Sequence, residues 1–298
     1  MNILVTGASG VLGQKLIRTL NKKEFFINAL VHKRNIELED CKNVQGDLSH
    51  PPSLEEAVAG IDTVVHLAAL TNTRQREDYF KINVDGTQNL LEACHKSRVK
   101  QFIYVSSRSA HAQGGGYAES KLAAEKVVKL SGFDWVIFRP AEVYGPGSRD
   151  AISQLIQWIK KFPLVPIIYD GRYKLSPVYI DDVIPPIVKA IEHNDLNGHT
   201  FMLGGPENMA FNTLIDRLVF YLGVRRVKIH LPVFLGRLLL PLAAALNNRP
   251  FYPDQIPRLL CDKAWDIDLP VRLLNYQPRK LEEGLNQFLA IEKNSVGL

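Results

Sequence analysis

Residues 6–13 read Thr-Gly-Ala-Ser-Gly-Val-Leu-Gly, and they join a short apolar run, Asn2–Thr6, to an amphipathic stretch, Val11–Leu20. The first glycine permits a tight turn, the second lets the backbone approach a pyrophosphate, and the third lets a helix pack closely on a strand. The free N–H groups and the dipole at the start of a helix favour phosphate. This stretch therefore predicts a strand, a dinucleotide-binding turn and a helix.

The same alternation of β-like runs and helical patterns continues to about residue 140. Runs rich in Val, Ile and Leu that are separated by helices predict a parallel sheet covered on both faces. We therefore expect an α/β fold with a doubly wound parallel (Rossmann) sheet, whose ligands bind beyond the carboxyl ends of the strands. The predicted strands are Asn2–Thr6, Phe26–Val31, Thr63–Leu67, Gln101–Ser106 and Trp135–Arg139. The predicted helices are Val11–Leu20, Leu54–Ala59, Tyr79–Cys94 and Tyr117–Leu130.

The pattern loosens in the second half of the chain, where prolines punctuate shorter elements. We predict a dinucleotide-binding domain over residues 1–165 and a smaller, mostly helical substrate-binding region over residues 166–298, parts of which return to the sheet. The helices predicted in this region are Asp181–Ile191, Phe211–Leu222 and Leu281–Ile291.

The composition argues against several classes of protein. The three cysteines form no C-x-x-C pair, so we expect neither disulfides nor a metal site, and we expect a cytoplasmic protein. The formal net charge is +5, but carboxylates are interleaved with the cations, so no nucleic-acid partner is expected. Arg237 and Pro241 interrupt the apolar stretch Leu231–Leu246, which is too short to span a membrane. We interpret it as core or as a pocket lid, with contact to a membrane surface or a partner as the alternative.

A proton-transfer group is predicted at the start of a later helix. Tyr117 and Lys121 are four residues apart, so a helix places them on one side. A phenol has a pKa near 10, and a neighbouring ammonium lowers that pKa by stabilising the phenolate. Ser107, at the end of the preceding strand, can hydrogen-bond the reacting oxygen. Such a trio can pass a proton to or from a carbonyl or alcohol while a nicotinamide takes or gives hydride.

The residues after the second strand indicate which dinucleotide is bound. An acidic residue there favours NAD, because it accepts hydrogen bonds from the ribose 2′-hydroxyl. This chain has His32, Lys33 and Arg34 instead, which suit a 2′-phosphate. We therefore expect NADP(H), with NAD as the alternative. Asp47 and Leu48 follow the next strand, and Asp47 is a candidate contact for the adenine.

Taken in order, these and further motifs resemble the short-chain dehydrogenase/reductases, in particular their extended, epimerase/dehydratase-like branch. The resemblance spans most of the chain. The further motifs are Gly46-Asp47-Leu48, His66-Leu67-Ala68-Ala69, Asn83-Val84-Asp85-Gly86-Thr87, Val105-Ser106-Ser107, Tyr117-x-x-x-Ser120-Lys121, Arg139-Pro140, Val143-Tyr144-Gly145-Pro146 and Tyr179-Ile180-Asp181-Asp182-Val183.

The resemblance implies roles for individual residues. Tyr117 is implied as the acid/base, Lys121 also as a contact for the nicotinamide ribose, and Ser107 as the residue that orients the substrate oxygen. Asn83 is implied either to hold its helix or to relay protons. The residues implied to bind the dinucleotide are Gly7, Ser9, Gly10, Val11, Leu12, Gly13, His32, Lys33, Arg34, Asp47, Leu48, Leu67, Ala68, Ala69, Ser106, Tyr117, Lys121, Pro140 and Val143.

Departures from the family pattern bear on the substrate. The glycines at 114–116 replace a longer loop, which weakens the case for the usual sugar contacts. Leu175 stands where nucleotide-sugar members present an arginine to the diphosphate. Glu142 is a carboxylate that repels a phosphorylated ligand or hydrogen-bonds a hydroxyl. The candidate substrate contacts are Thr71, His111 and Glu142.

These features favour an NAD(P)-dependent oxidoreductase that acts on a small or lipophilic ketone or secondary alcohol. A nucleotide-sugar epimerase or dehydratase, which regenerates its dinucleotide in each turnover, is the alternative within catalysis. A non-catalytic NADP(H)-binding subunit or sensor is the alternative outside catalysis, although a pure binder has no need of a poised phenol. The resemblance also suggests a homodimer.

Overall fold

The computed structural model describes residues 1–23, 25–32, 35–39, 41–147, 151–238, 252, 254–261, 263 and 266–296, the last five of these as backbone alone. The strands are β1 (Asn2–Thr6), β2 (Phe26–Val31), β3 (Cys41–Gln45), β4 (Thr63–His66), β5 (Gln101–Val105), β6 (Asp134–Pro140), β7 (Val143–Tyr144), β8 (Leu164–Ile168), β9 (Lys174–Leu175), β10 (Val178–Tyr179), β11 (His199–Leu203), β12 (Met209–Ala210) and β13 (Val227–Leu231). The α-helices are α1 (Val11–Leu20), α2 (Pro51–Ala57), α3 (Arg76–Phe80), α4 (Gly86–Lys96), α5 (Gly115–Lys129), α6 (Ala151–Lys161), α7 (Ile180–Glu192), α8 (Phe211–Tyr221), α9 (Gln255–Leu260), α10 (Asp268–Leu274) and α11 (Leu281–Val296), and residues 233–238 are also helical.

Within the described residues, seven strands form one parallel sheet in the order β11-β6-β5-β4-β1-β2-β3. The chain runs outward from β1 to β3 on one side and from β4 to β6 on the other, so the direction of winding reverses between β1 and β4. Thr6 at the end of β1 pairs with His66 at the end of β4. A ligand site is expected in the crevice at this reversal, beyond the carboxyl ends of the two strands.

Helices cover both faces of the sheet, because successive side chains of each buried strand point to opposite sides. Ile3 and Val5 pack in one hydrophobic cluster together with side chains of α1 and α7. Leu4, between them in the sequence, packs in a second cluster with side chains of α2, α4 and α5. These two layers confirm the predicted doubly wound α/β fold.

The elements of the second half of the chain pack in two places: against the parallel sheet, and in a separate hydrophobic cluster. α7 packs against α1, and β11 pairs with β6 at the edge of the sheet, so residues 180–203 return to the sheet. A third hydrophobic cluster joins α6, β8, α8 and α11. Short strand pairs, β7 with β10, β8 with β13 and β9 with β12, supplement the helices there. Among the described residues, no helix is long and apolar enough to cross a bilayer.

The stretch Tyr79–Cys94, predicted as one helix, is divided in the structure. It includes the end of α3, a π-helical turn at Lys81–Asp85, and most of α4. A π-turn holds one more residue than an α-helical turn, so it changes the side to which the following side chains point. Here Asn83, within the turn, faces inward and is 1% exposed.

Candidate active site

The turn after β1 forms a tight cradle against the residues after β4. Gly7 has a φ of +67°, and a Cβ added to it would lie 2.7 Å from the backbone nitrogen of Ala68. A Cβ added to Gly13 would lie 2.4 Å from the Gly7 carbonyl oxygen. The N-cap of α1 is Gly10, which has no side chain to cap the helix, so the first N–H groups remain for a ligand. Backbone packing therefore demands the glycines, and the cradle fits a pyrophosphate.

A cavity of about 660 Å³ lies beside this cradle. It is lined by Ser9 and Gln14 from the turn and α1, by His32 after β2, and by residues 35–38. Glu37, a carboxylate that lines this cavity, was not among the residues predicted to bind the dinucleotide. Lys33 and Arg34, which were, lie outside the described residues. The volume and position of the cavity fit the adenosine half of a dinucleotide.

Asp47 is paired with His32, which lines this cavity. Its Oδ2 is 3.1 Å from the Nε2 of His32, and its Oδ1 accepts hydrogen bonds of 2.8 Å from both the backbone N–H and the hydroxyl of Ser49. The backbone hydrogen bond of Ser49 is the largest cause of a lowered Asp47 pKa, and His32 adds to it. Asp47 is therefore an ionised group that holds its own loop.

A hydrogen-bonded chain fixes the floor of the cradle. The backbone N–H of Ala68 donates to Thr6 Oγ1 over 3.1 Å, and this oxygen lies 2.6 Å from Nδ1 of His66. The other ring nitrogen, Nε2, lies 3.0 Å from Thr87 Oγ1, whose hydroxyl donates to the Asn83 carbonyl over 2.7 Å. Since the Thr87 hydroxyl proton is already used, the His66 proton resides on Nε2. Burial lowers the pKa of His66 to about 3, so the ring is neutral.

The structure brings the predicted trio together at the carboxyl end of β5. Ser107 follows that strand, and Tyr117 and Lys121 lie in the first two turns of α5. Lys121 is 1% exposed, and its Nζ donates to the Val105 carbonyl over 2.9 Å and lies 4.2 Å from the centre of the Tyr104 ring. Loss of hydration lowers the pKa of Lys121 to about 7. A lysine with this pKa readily gains or loses a proton near neutral pH.

The pKa of the Tyr117 phenol is raised above its usual value, and burial is the largest cause. The positive charge of Arg258 and a hydrogen bond with Ser107 act in the opposite direction. The expectation that a neighbouring Lys121 makes the phenol more acidic is therefore wrong in its net direction. Desolvation of the phenol outweighs the positive charge of Arg258, and the Lys121 Nζ donates to the Val105 carbonyl.

A segment that the sequence did not single out covers Tyr117. The Cζ of Arg258, in α9, lies 4.8 Å from the centre of the Tyr117 ring, and Nη1 of the same guanidinium donates to the Thr71 carbonyl over 3.4 Å. Just before α9, Asp254 Oδ1 accepts a 3.0 Å hydrogen bond from the Tyr79 hydroxyl. No local pattern marks these residues, because more than a hundred residues separate them from the trio. Thr71, a predicted substrate contact, accepts this hydrogen bond from Arg258 through its backbone carbonyl.

Glu142 forms the centre of a second group of charges. Its Oε1 accepts from Lys263 Nζ, and its Oε2 accepts from Arg108, both over 3.3 Å, while the Ser176 backbone N–H donates to Oε2 over 3.0 Å. The side chains of Arg108 and Lys263 are 1% and 5% exposed. Burial raises the pKa of Glu142, but Lys263, Arg108 and backbone hydrogen bonds, including that of Ser176, together hold it below its usual value. Glu142 is therefore an ionised carboxylate with protein partners.

Two predicted residues have their side chains occupied by the protein itself. Asn83 Oδ1 accepts from the Leu70 backbone N–H over 2.7 Å, and Nδ2 donates to the Leu70 carbonyl and to Ser120 Oγ. The Ser106 hydroxyl donates to Glu125, which also binds Arg139 through two hydrogen bonds. For Asn83 this geometry favours holding the helix over relaying protons. The backbone N–H of Ser106 donates to the Phe138 carbonyl over 2.7 Å, so with its hydroxyl on Glu125 its carbonyl oxygen is what remains for a dinucleotide.

The other predicted contacts lie around the same edge of the sheet. His111 is half-buried in the loop before α5, where its Nδ1 accepts from the Gln113 backbone N–H over 3.1 Å. Among the described residues, no group of three or more His, Cys, Asp or Glu side chains could hold a metal ion. The remaining predicted residues are Val11 and Leu12 in α1, Leu48 after β3, Leu67 and Ala69 after β4, Pro140 at the end of β6 and Val143 in β7.

The chain is similar to known enzymes over most of its length. It is 27% identical to a 2-alkyl-3-oxoalkanoate reductase of Stenotrophomonas maltophilia, with 97% of this chain and 99% of that protein covered. It is also 27% identical to a 4-hydroxy-2-methyl-3-oxo-4-farnesyl-3,4-dihydroquinoline-1-oxide ketoreductase of Stigmatella aurantiaca, with 82% and 84% covered. Among solved structures, a UDP-glucuronic acid 4-epimerase of Bacillus cereus in complex with UDP-glucuronic acid and NAD is similar, with a TM-score of 0.77, 25% identity, and 97% and 98% covered.

These similarities confirm the predicted fold class and an enzyme of the oxidoreductase type in a family that depends on NAD. The sequence pattern of the NAD dependent epimerase/dehydratase family matches residues 3–204. That range includes the glycine cradle, the trio and the strands that carry them. The chain therefore belongs to the NAD dependent epimerase/dehydratase family.

Proposed function

We propose that the chain transfers a hydride between NADP(H) and a ketone or the corresponding secondary alcohol, with Tyr117 as the acid/base. One observation carries the proposal: Ser107, Tyr117 and Lys121 meet at the carboxyl end of β5, on the sheet edge that also holds the glycine cradle. A dinucleotide that binds with its phosphates on α1 brings its other end to this edge. When bound, the dinucleotide supplies or accepts the hydride.

Each residue of the trio has a distinct task in this proposal. Ser107 hydrogen-bonds the substrate oxygen, and Tyr117 donates a proton to that oxygen in reduction or takes it in oxidation. A raised phenol pKa keeps Tyr117 protonated at neutral pH, which suits the donor role in reduction. Lys121 binds the ribose and exchanges protons near neutral pH, since its pKa is about 7. Asn83 positions α5 through Ser120.

The surroundings of the trio favour a lipophilic carbonyl compound over a nucleotide sugar. Leu175, at the position of the family's diphosphate-binding arginine, is 4% exposed and packs in the third hydrophobic cluster. Arg172, a possible replacement, is 86% exposed in its side chain. The two buried cations nearby, Arg108 and Lys263, are both paired with Glu142, so their charge is partly neutralised by the protein itself. The oxoalkanoate reductase and the farnesyl-quinoline ketoreductase, by their names, act on ketones of this kind.

The preference for NADP(H) is supported by the run of donors at 32–34. His32 lines the cavity beside the cradle, and its Nε2 lies 3.1 Å from Oδ2 of Asp47. Glu37 lines the same cavity and is the group that favours NAD, because a carboxylate accepts from a ribose hydroxyl and repels a phosphate. The ratio of kcat/KM for NADPH to that for NADH measures which group dominates, and we expect a ratio well above one.

The proposal is tested by incubating the purified protein with NADPH and two sets of compounds: 3-oxo compounds with alkyl chains, and UDP-sugars. We expect net oxidation of NADPH with the 3-oxo compounds. Interconversion of UDP-sugars without net oxidation would instead establish the epimerase alternative. Tight binding of NADPH with neither reaction would establish the non-catalytic alternative.

A further inference from the structure

We infer that Arg258 is a positioning residue that holds the Tyr117 ring and stabilises the phenol in its deprotonated form. The inference rests on the proposed role of Tyr117 as acid/base, and it adds the C-terminal segment to the machinery of proton transfer. It assigns to an arginine of α9 the electrostatic task that the sequence pattern assigned to Lys121 alone.

The geometry of the ring supports this. The guanidinium carbon lies 4.8 Å from the ring centre of Tyr117, within the range of a favourable interaction between a cation and an aromatic face. The hydrogen bond from Nη1 to the Thr71 carbonyl fixes the guanidinium in place. Tyr79 contacts the same ring edge-on, with 6.1 Å between ring centres and an angle of 66°. The Tyr117 ring therefore contacts both the Tyr79 ring and the Arg258 guanidinium.

The glycines before Tyr117 allow this approach. α9 packs against α5, and a Cβ added to Gly115 would lie 3.0 Å from the Asp254 Cβ and 3.1 Å from Pro257 Cγ. A Cβ added to Gly114 would lie 3.3 Å from the sulfur of Cys261. Thus the short glycine loop, which departs from the family pattern, makes room for the segment that carries Arg258.

The charges around the phenol make Arg258 the dominant cation. From α9 and the turn before it, Arg258 stabilises the phenolate and Asp254 opposes it, while Ser107 stabilises it through a hydrogen bond. One carboxylate oxygen of Asp254 accepts a hydrogen bond from the Tyr79 hydroxyl. Lys121, in the same helix as Tyr117, donates its Nζ proton to the Val105 carbonyl.

Two further ionisable side chains complete these surroundings. Tyr104 is buried beneath Lys121, and Glu125, one turn further along α5, is paired with Arg139. Tyr117 contributes to a raised pKa of Tyr104, but neither Tyr104 nor Glu125 is among the groups that shift the pKa of Tyr117. The proton affinity of Tyr117 is therefore expected to depend on Arg258 more than on any of them.

The experiment compares Arg258→Met, Arg258→Lys and a matched control, Arg76→Met. Arg76 also stacks on a ring, with its Cζ 4.6 Å from the centre of Phe80, and it pairs with Glu119 of α5, but it does not cover Tyr117. Ultraviolet difference titration of the full chain, with Tyr117→Phe subtracted in each background, reports ionisation of this phenol without substrate or dinucleotide. The pH profile of kcat/KM provides a second readout.

We expect Tyr117 to ionise at higher pH in Arg258→Met, because the cation that stabilises the phenolate is lost. At a fixed alkaline pH the ratio of phenolate to phenol should fall about tenfold, the effect of losing one opposite charge near the ionising group. The limb of the pH profile that belongs to Tyr117 should move in the same direction. Arg258→Lys should restore most of the shift, and Arg76→Met should leave it unchanged.

Unchanged ionisation of Tyr117 in Arg258→Met would overturn the inference, as would a failure of Arg258→Lys to restore it. A loss of kcat/KM at every pH, with no movement of the limb, would show a merely structural role and also overturn it. If no variant reduces any carbonyl compound but the titration shifts as expected, the proposed function fails while the inference about Arg258 stands. Arg258→Gln, which retains hydrogen-bonding capacity, replaces Arg258→Met if the latter does not fold.

Discussion

His66 makes the stability of the fold sensitive to mild acid. Its two ring nitrogens contact Thr6, at the end of β1, and Thr87, in α4. Burial is the main cause that lowers the His66 pKa to about 3, and the positive charge of Lys121 adds to it. The ordinary pKa of a histidine in an unfolded chain is about 6.5.

The sign and size of the effect follow from this difference. The folded chain keeps the ring neutral at a pH where the unfolded chain protonates it, so acid favours unfolding. The contribution of His66 is complete above pH 6.5 and is lost as the pH falls toward 3. Each pH unit in this window costs about 1.4 kcal/mol, so between pH 7 and pH 5 the loss is about 2 kcal/mol.

Urea unfolding at pH 7 and pH 5, followed by circular dichroism, measures this contribution when wild type is compared with His66→Gln. The glutamine does not titrate and can retain a donor toward Thr87. We expect the variant to be less stable than wild type at pH 7 by about 1–3 kcal/mol, from lost hydrogen bonding. Its additional loss on going to pH 5 should be about 2 kcal/mol smaller than that of wild type. Equal losses in the two proteins would refute the reasoning, because they would show that His66 does not titrate differently in the folded and unfolded chains.

Three further predictions concern the cradle, a buried ion pair and the choice of dinucleotide. Gly13→Ala places a Cβ 2.4 Å from the Gly7 carbonyl oxygen, so calorimetry should show NADPH binding weakened at least about tenfold; unchanged affinity would contradict the assigned cradle. Arg139→Met leaves Glu125 buried without its cation and should lower the free energy of unfolding by about 3 kcal/mol; a loss below about 1 kcal/mol in urea unfolding would contradict the pairing. Glu37→Gln should raise the kcat/KM ratio of NADPH to NADH several-fold by removing a carboxylate from the cavity, and an unchanged ratio would exclude Glu37 from the adenosine site.

The elements that the sequence predicted well are those with a local cause. β1, α1 and β2 have the predicted bounds, because apolar periodicity marks the strands and helix and the glycine turn separates β1 from α1. The start of α5 differs from its prediction by two residues, since Gly115 and Gly116 are poor helix formers that the fold nevertheless includes. The proximity of Ser107, Tyr117 and Lys121 could be predicted because Tyr117 and Lys121 belong to one helix and Ser107 follows the strand before it.

What could not be predicted depends on contacts distant in the chain. β3 has the sequence Cys-Lys-Asn-Val-Gln, without a buried apolar alternation, and forms only because it completes the sheet edge beside β2. Arg258 and Lys263 reach Tyr117 and Glu142 only through the folding of the C-terminal segment over α5. The net rise in the Tyr117 pKa follows from burial, which a motif does not report.

The proposal that Tyr117 transfers the proton is tested most directly by Tyr117→Phe, which keeps the ring beneath Arg258 and removes only the hydroxyl. We predict that NADPH binds to this variant with unchanged affinity, while kcat for the best 3-oxo substrate falls by about 10²- to 10⁴-fold, the usual contribution of general acid–base catalysis. Retention of kcat within about twofold, with the same affinity for NADPH, would contradict the account and leave the chain as a dinucleotide-binding protein.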